Sequence, residues 1–342
     1  MKSIFDIFTA KNLKNQYVKS LKDRVPFYGE ALFKTKKQLG IEINQLSGKQ
    51  PKVRVLNLSA FDAKVIPLSR EAFSKISTEM PFFKNSYNIN EKQRQQLNVV
   101  LSSNNENYAK PLIDEVFNDG KNLLADANVT REMMRMMLLT SGNIAFANNG
   151  QAVSLDYELD HKETANWATA TTADPVGDIE ALLDSIEADS GVRPTRIMMN
   201  SVTLGKLAKI DAIRLAILKE NNGVFVSKAQ IKAYLEGELE ATIVVYNKGY
   251  HQEDGTFVKF VPDDVISVFP EGYLGDDIFG TTPEESDLMN GGTDAKVEIV
   301  DTGVAITTTK LTDPVNVDTK VSMVYLPTLY VADEIGVLTI TF

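Results

Sequence analysis

The chain has 342 residues, of which 43% are hydrophobic and 24% are charged, and its formal net charge is −10. This length allows about two domains, and the composition is that of a packed globular protein. Cysteine is absent, which excludes disulfides, thiolate nucleophiles and cysteine-ligated metals and fits synthesis in a reducing cytosol. There is no apolar run near the ~18 residues of a membrane helix and no secretory-signal pattern, so we expect a soluble protein of intracellular origin with no membrane partner.

The sequence offers little catalytic chemistry. Its two histidines, His161 and His251, belong to no metalloprotease or hydrolase motif. No phosphate-binding glycine loop or dinucleotide-binding fingerprint occurs, and carboxylate pairs are too common in an acidic chain to indicate a site. We therefore predict no enzyme activity and no catalytic, cofactor or metal site.

Charge is unevenly distributed along the chain. Residues 1–54 hold twelve Lys/Arg against four Asp/Glu, a balance of +8, whereas residues 174–301 hold eleven against twenty-four, a balance of −13. Such a basic arm can lie on an acidic surface of a neighbour or of nucleic acid, or it can be a solvated helix. Its cations lack interleaved aromatics, so we expect no sequence-specific nucleic-acid binding. The arm residues that we predict as inter-subunit contacts are Lys11, Lys14, Lys19, Lys22 and Arg24.

The first forty residues are typical of an arm. Thr9 is placed to cap a short amphipathic helix, which we expect to end near Val25–Pro26 because proline disfavours the α conformation in the preceding residue. The predicted apolar face of this helix consists of Leu13, Tyr17, Val18 and Leu21. From about residue 41 to 89, alternating polarity predicts half-buried strands around a long excursion, which is typical of a contact element.

Residues 91–142 carry the strongest helical signal. Pro111 favours a helix that begins near Ala109 or bends there, and Gly142 is a suitable residue just beyond its C-terminus. Four methionines within residues 133–137 fit core or subunit-contact packing better than a soft binding surface.

Residues 174–301 are typical of a mixed α/β block. Helix caps are predicted at Asp174, Ser201 and Ser227, a buried strand at RIMMN, and a hairpin around HQEDG. The acidic segment 275–294 is predicted to be a surface loop. After residue 295 the pattern is almost wholly strand-like, and these strands need partners within residues 41–90 and 143–168. The α/β block is therefore predicted to be an insertion in a domain that begins earlier and closes at the C-terminus.

Four stretches of the chain carry a resemblance to a known family. They are LNLSAFDAKVIPLSREAFSKISTEMPFFKNSYNINEKQR (56–94), REMMRMMLLTSGNIAF (131–146), GVRPTRIMMN (191–200) and DTGVAITTTKLTDPVNVDTKVSMVYLPTLYVADEIGVLTI (301–340). In order and spacing they resemble the lambda-type major capsid proteins of tailed bacteriophages, the capsid protein E family, and the last stretch matches most strongly. None of them is a catalytic motif.

The resemblance implies an α+β capsid fold of the Hong-Kong-97 type. Its implied parts are an N-terminal arm (1–40), an extended β loop (41–92), a peripheral domain with a long spine helix (93–173), an inserted axial α/β domain (174–295) and peripheral return strands (296–342). In the extended loop, the further candidate inter-subunit contacts are Asp62, Arg70, Glu71 and Lys84.

The resemblance also implies a function and partners. The chain is expected to assemble with itself, as pentamers and hexamers, into the icosahedral shell of a virion made in the host bacterial cytoplasm. A portal, a decoration protein and a scaffolding protein are the further expected partners, and the scaffold is expected to be separate because no long charged helical prodomain precedes the arm.

Three questions stay open. Lys64, Lys75 and Lys84 leave room for a lysine–asparagine cross-link, although exposed lysines are expected in such a loop without it. An encapsulin-like compartment shell shares the fold. A cytosolic α/β enzyme centred on the acidic region 253–294 is the alternative from another class.

Overall fold

The computed structural model describes residues 9–21, 24–43, 78–102, 106–219, 226–252, 254–291, 296–300, 302–312 and 315–342. The helices in this part of the chain are α1 (Ala10–Leu21), α2 (Glu91–Ser102), α3 (Glu106–Ser141), α4 (Pro175–Ser190), α5 (Ser201–Leu207), α6 (Asp211–Leu218), α7 (Lys228–Leu239) and α8 (Pro283–Asn290), with 3-10 turns at Tyr28–Ala31 and Ala332–Glu334. The strands are β1 (Phe33–Lys37), β2 (Glu42–Ile43), β3 (Thr78–Glu79), β4 (Phe82–Ile89), β5 (Asn143–Asn148), β6 (Gln151–Asp156), β7 (His161–Asn166), β8 (Arg196–Met199), β9 (Thr242–Val245), β10 (Gly249–His251), β11 (Phe257–Lys259), β12 (Val265–Phe269), β13 (Gly275–Phe279), β14 (Lys296–Val300), β15 (Val304–Thr312), β16 (Val315–Pro327) and β17 (Gly336–Thr341).

The first main sheet is built around β16, in the order β1-β13-β16-β15-β14, with β4 also paired to β16. Strand β15 covers one edge of β16 from Val315 to Met323. On the other edge β4 and β13 lie end to end, since Val324 pairs with Phe82 and the next residue, Tyr325, pairs with Phe279. Helix α3 packs across β16 and β4, so this sheet and the long helix share one hydrophobic core.

The second main sheet has the order β7-β17-β12-β8-β9. Helices α4 and α7 pack against it through buried apolar side chains such as Leu182 and Leu235, in a core that also includes Leu338 of β17. Residues i, i+3 and i+4 of α4 face this core, as expected for an amphipathic helix on a sheet.

The C-terminal strands find the partners that the sequence predicted. Strand β16 pairs with β4, and β17 pairs in parallel with β7. Sheet membership, however, crosses the expected domain limits, because β7 and β17 share a sheet with the α/β block whereas β13 belongs to the first sheet. The domain limits at 40, 92, 173 and 295 therefore stay predictions.

The predicted spine helix is confirmed as α3, a helix of 36 residues. It begins at Glu106, three residues before the predicted start, so the proline at position 111 lies in its second turn and not in its first. It ends as predicted at Gly142, which has a φ of +72° and donates its N–H to the Leu138 carbonyl at 2.9 Å.

Of the three helix caps predicted within residues 174–301, two are confirmed. Asp174 caps α4, and Ser227 forms a capping box with Gln230 at the start of α7. The cap predicted at Ser201 is wrong, because the side-chain oxygen of Asn200 accepts the backbone N–H groups two and three residues on, both at 2.9 Å. Asn200, and not Ser201, caps α5 because its amide nitrogen also donates a hydrogen bond to the carbonyl of Val261 in the facing loop.

The surface loop predicted for the acidic segment 275–294 is wrong over its described part, residues 275–291. This part forms the fully buried strand β13 and helix α8, and Thr282 and Glu285 form a capping box between them. Burial is possible because Asp277 accepts a hydrogen bond from Arg135 Nε at 3.1 Å. The cation is 142 positions away in the chain, so local composition gives no sign of it.

Candidate assembly surfaces

Helix α1 lies along α3 and reaches β14 and β15. Thr9 Oγ1 accepts the Asn12 N–H at 3.3 Å, which confirms the predicted cap. Leu13 packs over Gly120, where an added Cβ would lie 2.6 Å from its Cδ2, and Asn128 donates a hydrogen bond to the Tyr17 hydroxyl. The bare glycine is what allows the two helices to approach this closely.

Two details of the arm helix differ from the prediction. Val18 is 45% exposed, and among the described side chains of the helix the buried stripe consists of Ala10, Leu13 and Tyr17. The helix ends at Leu21, before the predicted stop at Val25–Pro26.

The cations of the arm fall into three groups. Lys11 and Lys19 are exposed on α1. Lys14 and Arg24 are bonded within the chain, Lys14 Nζ to Glu298 Oε2 at 3.4 Å and Arg24 Nη2 to Glu30 Oε1 at 2.7 Å. Lys22 lies outside the described residues, and contacts of any of these residues with another copy stay predictions.

The chain after α1 is clamped by the β10–β11 hairpin. Phe27 packs edge-on against Phe260 with the ring centroids 5.7 Å apart, and Lys248 lies over the Phe27 ring at 5.0 Å. Lys248 also donates to the carbonyls of Val25 and Pro26, at 3.3 and 3.0 Å. The base of the arm is therefore fixed to the α/β block in the same chain.

A buried ionic network joins the arm base, α3 and the first sheet. Glu132 on α3 accepts the Gly29 N–H at 3.0 Å and the Tyr246 hydroxyl at 2.8 Å. Arg135, one turn on, donates to Glu132 at 3.1 Å and to both oxygens of Asp277. Glu132 and Asp277 are fully buried and Arg135 is 2% exposed. Four distant segments thus meet through charged groups shielded from water.

Neighbouring charges set the protonation states of two members of the network. Burial alone lowers the pKa of Arg135, but Tyr325, Asp277 and Glu132 raise it well above the usual arginine value, so the guanidinium stays charged. Burial and the adjacent Glu132 carboxylate raise the pKa of Tyr246, which therefore remains a hydrogen-bond donor. The charges fix one geometry for the junction, since each would be costly to bury without its partners.

Within the predicted extended loop, the described residues on either side of 44–77 lie next to each other. Strands β2 and β3 pair antiparallel, and the Met80 N–H donates to the Ile41 carbonyl at 2.7 Å. Gly40, with a φ of +88°, exchanges hydrogen bonds with Thr281 next to α8. Residues 44–77, and with them the predicted contacts Asp62, Arg70 and Glu71 and the lysines Lys64 and Lys75, lie outside the described part of the chain.

Lys84 is exposed on β4 at the rim of a cavity of about 1000 Å³ between α3, β4 and the β5–β6 hairpin. Phe83 and Phe146 line this cavity and stack with their ring centroids 6.0 Å apart. A contact of Lys84 with another copy stays a prediction.

The α/β block exposes carboxylates along the outer face of α4, at Glu180, Asp184, Glu187 and Asp189. Arg193 binds two of these, with its Nη1 atom 2.9 Å from Glu187 Oε2 and also bonded to Asp184. Glu180, Asp184 and Glu187 thus follow one side of α4, where part of the acidic balance of this block is exposed.

The two histidines lie in different structures. His161 is buried at the start of β7, with Nδ1 3.2 Å from Ser185 Oγ, and His251 is exposed on the hairpin against Phe257. Within the described ranges no three His, Asp or Glu side chains are grouped as metal ligands would be. Over the same ranges, none of the helices combines the length and the apolar character needed to cross a bilayer.

The fold is similar to those of phage proteins. A crystal structure from Escherichia coli CFT073, assigned as a prophage capsid protein, aligns with a TM-score of 0.58 and 14% identity over 97% of this chain and 99% of that chain. A phage-related protein from Bordetella bronchiseptica RB50 aligns with a TM-score of 0.53 and 11% identity over 96% of each chain. These similarities confirm the expected Hong-Kong-97-type capsid fold. No curated protein sequence matches the chain.

The family model described as phage major capsid protein E matches residues 15–339, nearly the whole chain. This match decides among the alternatives left by the sequence, because it names a phage shell protein and neither a cargo compartment nor an enzyme. The chain belongs to the phage major capsid protein E family and is a structural, non-enzymatic subunit of a virion shell.

Proposed function

We propose that this subunit builds the icosahedral head shell as pentamers and hexamers, with the basic arm of one copy lying against acidic surface of the next. The observation that carries the proposal is that one chain exposes two surfaces of opposite charge. Lys11 and Lys19 are exposed on α1, and the carboxylates of α4 are exposed on the α/β block. Complementary charges of this kind speed encounter and fix register more than they add affinity.

A closed shell needs contacts that adapt to several environments. Identical subunits in pentamers and hexamers meet at different angles through heterologous interfaces. The buried junction around Arg135 makes a stiff body, so adaptation falls to segments attached at defined points. We assign this role to the part of the predicted extended loop between Gly40 and Met80, because Gly40 is hydrogen-bonded to Thr281 and Met80 is buried in the core.

Further partners follow from the same proposal. A separate scaffolding protein directs assembly in the host bacterial cytoplasm, a portal occupies one vertex, and a decoration protein binds the finished shell. The acidic balance of −13 over residues 174–301 disfavours adhesion to packaged DNA, since phosphate binding depends on Lys and Arg. No cofactor and no sequence-specific nucleic acid are involved.

The experiment compares two pairs of neutralised lysines. We expect the variant Lys11→Gln/Lys19→Gln to assemble less at low salt and to lose most of the salt dependence of the unmodified chain, measured by light scattering and electron microscopy. The matched control is Lys209→Gln/Lys219→Gln, which removes two exposed lysines from the acidic block itself. Equal yield and equal salt dependence for both pairs would contradict the proposed role of the arm.

A further inference from the structure

A groove of about 540 Å³ lies between the end of α3, the β10–β11 hairpin, and strands β12 and β17. Its apolar lining includes Met133, Met137, Val258, Phe260, Val265 and Val337. The four methionines of α3 at positions 133, 134, 136 and 137 lie in two different environments. Met134 and Met136 are fully buried in the core, whereas Met133 and Met137, one turn apart, are partly exposed and line the groove. Methionine surfaces of this kind adapt to an inserted side chain.

The charged side chains that line the groove are both basic. Lys162 and Lys259 are its charged lining residues, and no carboxylate is among the described residues that line it, in a chain with a net charge of −10. Each lysine has a carboxylate partner outside the lining: Lys259 lies 2.6 Å from Asp263, and Lys162 lies 3.6 Å from Asp156 and 3.2 Å from Asn143 Oδ1. An ammonium group has three donors, so both lysines can bind a further acceptor. The groove therefore suits an apolar tip with a hydrogen-bond acceptor, such as a carboxylate, at its edge.

Helix α8 presents such a tip. Its first turn is tied to the first sheet, with Lys37 Nζ 2.5 Å from Glu285 Oε2 and Lys320 Nζ 2.5 Å from Glu284 Oε1. Its last turn leaves Leu288 47% and Met289 60% exposed, next to the exposed Asp287. Two adjacent exposed apolar side chains on an anchored helix are typical of a contact surface.

We infer that the α8 tip of one copy, residues 287–289, docks in the methionine groove of a second copy. This rests on the proposed function, because a shell of identical subunits supplies the second copy. Apolar side chains of the tip meet the methionines, and Asp287 meets the lysines at the rim. The tip lies beside β14 and β15 and the groove beside the other main sheet, so the two surfaces differ, and we expect a head-to-tail contact that continues from one copy to the next.

Chemical cross-linking tests this contact directly, because the chain has no cysteine of its own. The variant Met137→Cys/Met289→Cys is treated in assembled shells with a short bismaleimide. We expect a ladder of covalent oligomers beyond the dimer, with a peptide joining positions 137 and 289. Each single-cysteine variant carries one thiol and cannot exceed a dimer. A product no larger than a dimer, or a tip position linked to a different protein, overturns the inference.

Single and double substitutions test how much the contact contributes to assembly. We expect Met289→Glu to raise the protein concentration needed for assembly about tenfold, the loss when one exposed apolar side chain is not buried. The matched control Leu215→Glu, on a residue 54% exposed on α6, leaves it unchanged. Asp287→Lys weakens assembly, and adding Lys162→Glu restores it. Equal effects of Met289→Glu and Leu215→Glu, or no restoration, overturn the inference. If the unmodified chain forms no shells at all, the proposed function itself fails.

Discussion

The substitution Asp277→Ala removes the main partner of a buried guanidinium. Asp277 accepts hydrogen bonds from Arg135 through both oxygens and from the Tyr325 hydroxyl at 2.6 Å. Without it Arg135, 2% exposed, keeps Glu132 alone, and that carboxylate is already shared with Gly29. Removing one partner of a buried ion pair costs about 3–5 kcal/mol, so we expect a loss of that size in the free energy of unfolding.

The assay is urea unfolding of the unassembled subunit, followed by circular dichroism and by the fluorescence of Trp167. Trp167 is the single tryptophan and lies buried in the second core against Phe342. The matched control Asp184→Ala removes a partner of Arg193, a largely exposed pair, and costs about 0–1 kcal/mol. A cost of Asp277→Ala equal to that of the control would refute the reasoning.

Three further predictions concern single positions. Gly29→Ala places a Cβ 2.6 Å from Glu132 Oε2, so we expect a loss of about 1–3 kcal/mol in urea unfolding; an unchanged midpoint would contradict the contact. Asn200→Ala loses a cap and a buried amide and costs about 2 kcal/mol, whereas Ser201→Ala changes stability by less than about 0.5 kcal/mol; the reverse order would restore the cap predicted from sequence. Burial alone raises the pKa of Glu284, but its lysine and serine partners lower it below 4.5. A carboxyl whose pKa is lower in the folded than in the unfolded chain stabilises the fold at a pH above its unfolded pKa, and this stability is lost as the pH falls through its folded pKa. We therefore expect Glu284→Gln to make the acid-induced loss of stability shallower. Equal acid profiles for the variant and the unmodified chain would contradict the pairing.

Local signals in the sequence predicted much of the fold. Helical periodicity and Gly142 marked α3, period-two alternation marked β15 to β17, and Asp174-Pro175 marked the start of α4. These features depend on a few neighbouring residues, which determine helix caps and strand faces wherever the chain folds.

What could not be predicted depends on partners distant in the chain. The acidic segment with Asp277 was expected in solvent, because the cation that makes its burial possible is on α3. Arg135 and Glu132 lie amid methionines in a buried stretch, and charged residues one turn apart in such a run are a usable signal of an internal ion pair. The arm base gave no such sign, since Phe27 packs on a hairpin more than two hundred residues later.

The central claim is that this chain is a shell-forming subunit. Its most direct test is electron cryomicroscopy of particles formed when the chain is produced together with a scaffolding protein. The account predicts closed icosahedral shells, with pentamers at the vertices, hexamers elsewhere, and the arm of each copy on its neighbour. A small, discrete oligomer as the stable product would contradict it.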